Sequence, residues 1–291
     1  MLSSLIERFT SRYAGVVGMN ERNRNLIYPN NKRKNYLLAD DKLETKKVLE
    51  RYQISCPKTY GAIGRVGDIT KIWNEIENVD SMVIKPASGS GGNGIMLIRK
   101  HAGTWQMGGK SITRDAIFSR IANIIFGMYS GGKDDRAILE ELIIPDPALT
   151  AFYKEGIPDI RIITLKGNPL MGMLRLPTSE SDGKANLHQG GIGVGINLQN
   201  GELTHAYDGE SYITSHPDSI LTITGRKIPK WDEIMKLSRQ VADAFPLDYL
   251  GIDIVLDKFR GPMVLEINVR PGLGIQMANR TGLNTAIKNI H

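Results

Sequence analysis

The chain has 291 residues, 41% hydrophobic and 23% charged, a composition that excludes a disordered, collagen-like or coiled-coil polypeptide. Its 37 Lys and Arg stand against 31 Asp and Glu, a formal +6, and a core of this size needs neither disulfides nor a structural metal. No uncharged apolar run reaches the roughly 18 residues of a membrane span, the N-terminus lacks a signal-peptide pattern, and the single cysteine, Cys56, suits a reducing compartment, so a cytoplasmic protein is expected.

The charge is uneven. Residues 1–36 carry Arg8, Arg12, Arg22, Arg24, Lys32, Arg33 and Lys34 against Glu7 and Glu21, which is +5 of the +6. No helix-turn-helix or finger spacing and no basic-aromatic interleaving occurs outside this arm, so a nucleic-acid partner is not expected. Leu2, Leu5, Ile6 and Phe9 predict a short amphipathic helix, followed by a polar, Asn- and Arg-rich connection ending near Tyr36.

A helix starts next. Asp40 or Asp41 can cap it, Glu44 falls three residues after Asp41 as in a capping box, and it runs through Leu49 and Tyr52 until Pro57 and Gly61. From Ser81 the pattern reads strand (SMVIKP), glycine-rich turn (ASGSGGNG) and strand (IMLIRK). Residues 115–129 predict a helix and 137–144 (AILEELII) a strand. DIRIITL and PLMGMLRL, separated by Lys166, Gly167 and Asn168, predict a second hairpin, and a long Gly-rich loop spans 177–201. Ile234, Leu237, Val241 and Phe245 share one face of a helix over 231–245. YLGIDIVL and MVLEINV form the last hairpin. Hairpins with few strand-helix-strand alternations predict an α+β fold.

The last hairpin has a readable register. With a loop from Asp257 to Pro262, Leu256 pairs with Met263, Asp253 lies opposite Glu266, and Asn268 shares the Glu266 face. Facing carboxylates repel unless a cation sits between them, and a hard divalent ion meets that demand with few protein oxygens. A solvated face with unrelated acids is the alternative. Ser88, Gly89, Ser90, Gly91, Gly92, Asn93 and Gly94, preceded by Lys85, can form a backbone nest for phosphate, although the following strand rules out a P-loop or a dinucleotide fingerprint. A flexible hairpin tip with a surface lysine is the plain alternative. Arg161, Arg175 and Arg270 offer guanidinium forks for carboxylate or phosphoryl oxygens, against the ordinary reading of solvated strand arginines. A lone histidine in a loop, as His188 is, is more often a hydrogen-bonded bystander than a base. No serine or cysteine nucleophile motif and no zinc spacing occurs.

In order, DDKLETKKVLERYQISCPKT, VIKPASGSGGNG, ILEELI, DIRIITLKG, LRL, ANLHQGG and GIDIVL…GPMVLEINVRPGLGI resemble an ATP-grasp enzyme, and more narrowly the α-L-glutamate ligase-related proteins near the ribosomal-protein S6 glutamate ligase branch. The resemblance covers about residues 37–285. It implies two α+β subdomains clasping ATP, a nucleotide-flap part over about 37–136 and a catalytic, metal-binding part over 137–291, after an arm of residues 1–36. It implies that Lys42 and Lys85 contact ATP phosphates under the 88–94 flap, and that the backbone of Glu141, Leu142 and Ile143 reads adenine. Asp253, Glu266 and Asn268 then hold Mg²⁺, with Mn²⁺ as the alternative. Arg161, Arg175 and Arg270 act on the acyl phosphate, and Asn186 and His188 face substrate.

The chain departs from that pattern in having only 36 residues before Leu37, where the family has a full domain, and in Arg270, where the glutamate ligase branch has a small residue. The implied activity is ATP-dependent carboxylate-amine ligation through an acyl phosphate, adding an amino acid such as glutamate to a peptide, protein or small carboxylate. An ATP-grasp kinase and a non-catalytic ATP-binding module are the rivals. With the cleft otherwise open on one side, the arm is expected to cover it in its own chain or in a second copy, with Arg22 and Arg24 nearest the substrate.

Overall fold

The structure is a computed structural model describing residues 15–89 and 91–289; the amphipathic helix expected over Leu2–Phe9, and Ser90 of the glycine loop, lie outside the described residues. Two compact units emerge, one of residues up to Asp40, Lys47–Ser55 and Ile144 onward, the other of Asp41–Lys46 and Cys56–Ile143. No helix among the described residues is long and apolar enough to cross a membrane.

The smaller unit holds β1 (Thr59–Ile63), β2 (Ser81–Pro86), β3 (Met96–His101), β4 (Thr104–Met107), β5 (Lys110–Ser111) and β6 (Ala137–Glu141). They form an antiparallel sheet in the order β1-β6-β2-β3-β4-β5. The glycine-tipped hairpin is as expected, from Ser81↔Arg99 to Ile84↔Met96. Its helix over Arg114–Ile125 starts at Thr113, whose hydroxyl accepts from the Ala116 N–H at 3.2 Å, and ends four residues before the expected 129, ahead of Gly127 at φ +74°. Ile117, Ile121 and Ile124 recur at helical spacing and are fully buried, and Trp73 meets Trp105 and Phe118 edge-on at 5.6 Å each. The expected subdomain boundary at 136/137 falls instead at 143/144, because β6 pairs with both β1 and β2.

The larger unit is built on β7 (Asp159–Leu165), β8 (Asn168–Leu176), β9 (Ile192–Ile196), β10 (Leu203–Tyr207), β11 (Tyr212–Ile213), β12 (Tyr249–Asp257) and β13 (Gly261–Asn268). They form an antiparallel sheet in the order β11-β10-β9-β8-β7-β12-β13. The Lys166-Gly167 turn adopts left-handed φ at both residues, as a two-residue hairpin demands. The helix over Trp231–Ala244 packs against β7, β8, β12 and β13 and buries Ile234, Leu237 and Val241.

Two expectations change here. The 177–201 stretch is not one long loop, since β9 runs through it with all five residues buried. Gly193 and Gly195 belong to that strand because a Cβ at either would meet neighbours at 2.9 Å or closer, including the Ala278 carbonyl. Residues 15–36 are not a free arm. They form short helical turns, one of them a π-helix over Arg22–Ile27, with Val17, Leu26 and Ile27 buried. The buried Asn31 amide donates to Tyr249 O at 2.7 Å and accepts from Tyr249 N at 2.9 Å, so a side chain takes the place of a strand at that point of β12.

Candidate active site

The candidate residues fall into one set in each unit. In the smaller unit, Lys85 of β2 and Glu140 of β6 lie diagonally across the ladder, since Lys85 pairs with Ile138 and Val83 with Glu140. Lys85 Nζ forms an ion pair with Glu140 Oε1, and Lys46 Nζ approaches Oε2 at 2.9 Å. All three side chains are at most 7% exposed, so two ammonium groups and one carboxylate leave a buried net charge of +1. Burial alone would raise the Glu140 pKa, but Lys85 and Lys46 outweigh it and hold the carboxylate below its ordinary range. Lys46 also donates to Pro57 O, whereas Lys85 keeps donors to spare.

Lys42 opens its helix just after Asp41, whose carboxylate accepts from the N–H groups of Leu43 at 2.9 Å and Glu44 at 3.2 Å, the cap expected from the sequence. Its Nζ donates to Gly89 O at 2.6 Å, and its N–H to Ala87 O at 3.0 Å, so Lys42 grips the base of the glycine loop. Asp135 holds the same base from the other side by accepting from Ser88 N at 3.1 Å. Gly91, Gly92 and Gly94 have left-handed φ, and a Cβ at Gly94 would strike the Tyr129 ring at 2.6 Å, which requires glycine there. Glu141 exchanges backbone and side-chain bonds with Lys58, whereas Leu142 and Ile143 enter no backbone hydrogen bond among the described residues outside the sheet ladder, leaving donors and acceptors for a ligand.

In the larger unit, one row of side chains crosses the sheet. Arg161 on β7 faces Asp253 on β12, which faces Glu266 on β13, and Asp159 faces Arg175 next along. The expected Asp253–Glu266 pairing occurs, although Leu256 pairs with Pro262 and not Met263. A tighter three-residue tip over 258–260, followed by Gly261 at φ +79°, shifts the ladder by one, and a bulge between Asp253 and Ile254 shifts it back. Asn268 lies beyond Glu266 and donates Nδ2 to Asp253 Oδ2 at 3.2 Å, which turns its carbonyl oxygen away from Asp253.

Arginines occupy the Asp253 carboxylate. Arg161 binds it through Nε at 2.7 Å and Nη2 at 2.6 Å, and Arg175 Nη2 reaches Oδ2 at 2.7 Å while also holding Asp159. Burial would raise the Asp253 pKa, but the two guanidiniums outweigh it and keep the group ionised. Asp159 is pushed upward, first by burial and also by the charge of Asp253, in spite of Arg175. Asp159, Asp253 and Glu266 thus stand against Arg161 and Arg175 in one row across the sheet. Glu266 and the Asn268 carbonyl are hard oxygen donors suited to Mg²⁺, with Asp253 behind them as the anchored charge. Among the described residues no three His, Cys, Asp or Glu side chains form a group that could hold a metal ion.

Arg270 is half-exposed, stacks 5.0 Å from the Tyr36 ring and touches Asp40 at 3.4 Å. Asn186 caps the 187–189 turn by accepting from His188 N at 3.1 Å, and the His188 side chain is exposed. Arg22, expected near substrate, instead props the chain after β13 by donating to Pro271 O at 2.9 Å, and Arg24 is on the surface. Sequence reasoning missed Lys46, Glu140 and Asp135. Lys46 follows Lys42 by one helical turn, and Glu140 follows three apolar residues in its strand, a pattern that asks for a buried partner.

Two antiparallel sheets with helices, a glycine-tipped hairpin beside buried lysines and facing acids on the last hairpin define an ATP-grasp fold. The family described as sugar-transfer associated ATP-grasp matches residues 21–291, and the chain belongs to that family. A probable alpha-L-glutamate ligase of Shewanella loihica is 26% identical over 250 residues, covering 84% of this chain and 60% of that protein. Biotin carboxylase of Campylobacter jejuni, at 14% identity and a TM-score of 0.57, shares the fold over 97% of this chain and 50% of its own. D-alanine–D-alanine ligase of Bacillus anthracis aligns at 16% identity and a TM-score of 0.48 over 87% of this chain and 61% of its own. The chain thus spans about half to three fifths of the length of these proteins.

Proposed function

We propose that the protein is an ATP-dependent carboxylate-amine ligase. The observation that carries this reading is one charge environment within each unit, a buried +1 at Lys46, Lys85 and Glu140 in the smaller and the facing carboxylates of Asp253 and Glu266 in the larger. The first calls for phosphate oxygens and the second for a divalent cation. Membership in an ATP-grasp family and the 26% identity to a probable alpha-L-glutamate ligase support it.

In this reading Lys42, Lys85 and the 88–94 loop hold the ATP phosphates, and Leu142 and Ile143 offer backbone groups to the base. A substrate carboxylate oxygen attacks the γ-phosphorus, an O–P bond forms, the bond to the β-phosphate oxygen breaks, and ADP leaves. Arg270, with Arg161 and Arg175 acting from their places on Asp253, offsets the negative charge of the acyl phosphate, without a protein nucleophile. An amine then attacks the acyl carbon, the C–N bond forms, phosphate leaves with the C–O electron pair, and the amine proton passes to solvent. Magnesium at Glu266, Asn268 and Asp253 would neutralise phosphate charge. Asn186 and His188 are assigned to the substrate side. The transferred group is proposed to be an amino acid such as glutamate, and the acceptor a peptide, protein or small carboxylate.

Incubating the full chain with ATP, Mg²⁺ and pooled amino acids and carboxylates tests the proposal. Stoichiometric ADP, phosphate and a new amide mass are expected. A phosphorylated product without free phosphate would instead make it a kinase, and ATP binding without turnover a binding module.

A further inference from the structure

The proposed reaction leaves its acceptor without a binding site, and the larger unit contains one further cavity close to Arg270. Its volume is 570 Å³, and Asn23, Tyr28, Lys32, Arg33, Tyr36 and Arg270 line it, with Ile27 and Asn31 beneath. Its charge is one-signed. Lys32, Arg33 and Arg270 contribute three cations, of which Arg270 also touches Asp40 at 3.4 Å, and no acid lines the wall itself. The Lys32 and Arg33 side chains are exposed and make no hydrogen bond or ion pair among the described residues, so their charges are open to a ligand.

The wall is also built to stay in place. Asn31 is locked on both sides to Tyr249, Asn35 Nδ2 donates to Pro246 O at 2.8 Å, and Arg22 ties the 22–27 turn to Pro271. Arg22 is 8% exposed, and its guanidinium is bonded to the Pro271 carbonyl and to Asn23, which places a further cation behind the cavity. A π-helix at this point, Arg22–Ile27, is a costly local geometry that recurs at functional sites. Arg270 lies over the Tyr36 ring at 5.0 Å, and it follows Asn268, a proposed metal donor, by two residues. The cavity therefore opens beside the acyl-phosphate arginine.

We infer that this cavity, lined by Lys32, Arg33, Arg270, Tyr28 and Tyr36, binds the anionic end of the acceptor, a small molecule bearing two or more carboxylates. Two tyrosine faces receive its carbon skeleton, and Arg33 and Lys32 hold the carboxylates that do not react. The inference rests on the ligase reading, because only a carboxylate substrate gives the third cation, Arg270, a reacting partner. Residues 22–36 thus act as a substrate wall, with Arg33 and Lys32 in the place expected for Arg22 and Arg24.

The probe is tricarballylate, a tricarboxylate matched to three cations, titrated calorimetrically into the full chain at low salt, with ATP titrated separately. A dissociation constant below about 1 mM is expected for the wild type, weakening at least about tenfold in Arg33→Ala and in Lys32→Ala and only slightly in Arg33→Lys. Both residues are exposed, so melting temperatures should not move, and the ATP constant should be the same in all four proteins. Absence of tricarballylate binding, or binding that the Ala variants leave unchanged, overturns the inference. Failure of the wild type to bind ATP overturns the ligase reading instead, which keeps the two failures apart.

Discussion

Glu140 is the side chain whose replacement tests the most structure at once. It is 1% exposed and is the shared partner of two ammonium groups that are themselves buried. Glu140→Gln preserves volume and an acceptor oxygen but leaves Lys46 and Lys85 facing each other without a countercharge. Removing one partner of a buried ion pair costs about 3–5 kcal/mol, largely through the stranded charge. That loss lowers the unfolding midpoint by roughly 10 °C or more. Trp73 and Trp105 both sit in this unit, so their fluorescence reports its unfolding in urea. The pH dependence is fixed in sign. The folded pKa of Glu140 lies below its ordinary value, so its contribution is complete above about pH 4.3 and fades as pH falls through the folded value. The gap between wild type and Glu140→Gln should be level from about pH 6 to 8 and shrink toward pH 3. A gap under about 1 kcal/mol at pH 7, or one that widens in acid, would refute the buried-triad argument. ATP should restore part of the loss, because phosphate oxygens supply the missing countercharge.

Lys85→Met should raise the ATP dissociation constant about tenfold or more by calorimetry, since one charge-assisted contact is worth roughly 1.5–3 kcal/mol; an unchanged constant removes Lys85 from the phosphate site. Glu266→Gln should abolish ADP production, with the metal-free melting temperature within a few degrees of wild type, because Arg161 and Arg175 already neutralise the facing Asp253. Turnover at the wild-type rate would reject the metal assignment. Asn31→Ala should cost about 2–4 kcal/mol in urea unfolding followed by Trp231 fluorescence, as it leaves the Tyr249 N–H and C=O buried without partners, and a loss under about 0.5 kcal/mol would make the 15–36 segment dispensable.

Local chemistry made several parts legible from the sequence alone. The Asp41 cap, the Lys166-Gly167 turn, the apolar faces of the 114–125 and 231–244 helices and the glycine-tipped hairpin depend on residues within a turn or two of one another. Even the Asp253–Glu266 pairing could be counted from one hairpin, although the count came out right only because the tighter tip and the bulge offset each other. The ordered motifs pointed to the ATP-grasp fold, which the family match bears out.

What the tertiary structure decided involves partners far apart in sequence. The β9 strand was hidden because its glycines obey neighbours such as Ala278 and Met173, not strand propensity. Residues 15–36 read as part of a basic arm expected to cover the cleft because their composition is polar and cationic, yet Asn31 and Arg22 bond to backbone more than 200 residues away. The arginines at 161 and 175 were assigned to substrate, and only the sheet order placed both on Asp253, a distribution of charge set by which strands are neighbours. Alternation along one strand tells which side chains share a face, but the charge opposite them belongs to another part of the chain.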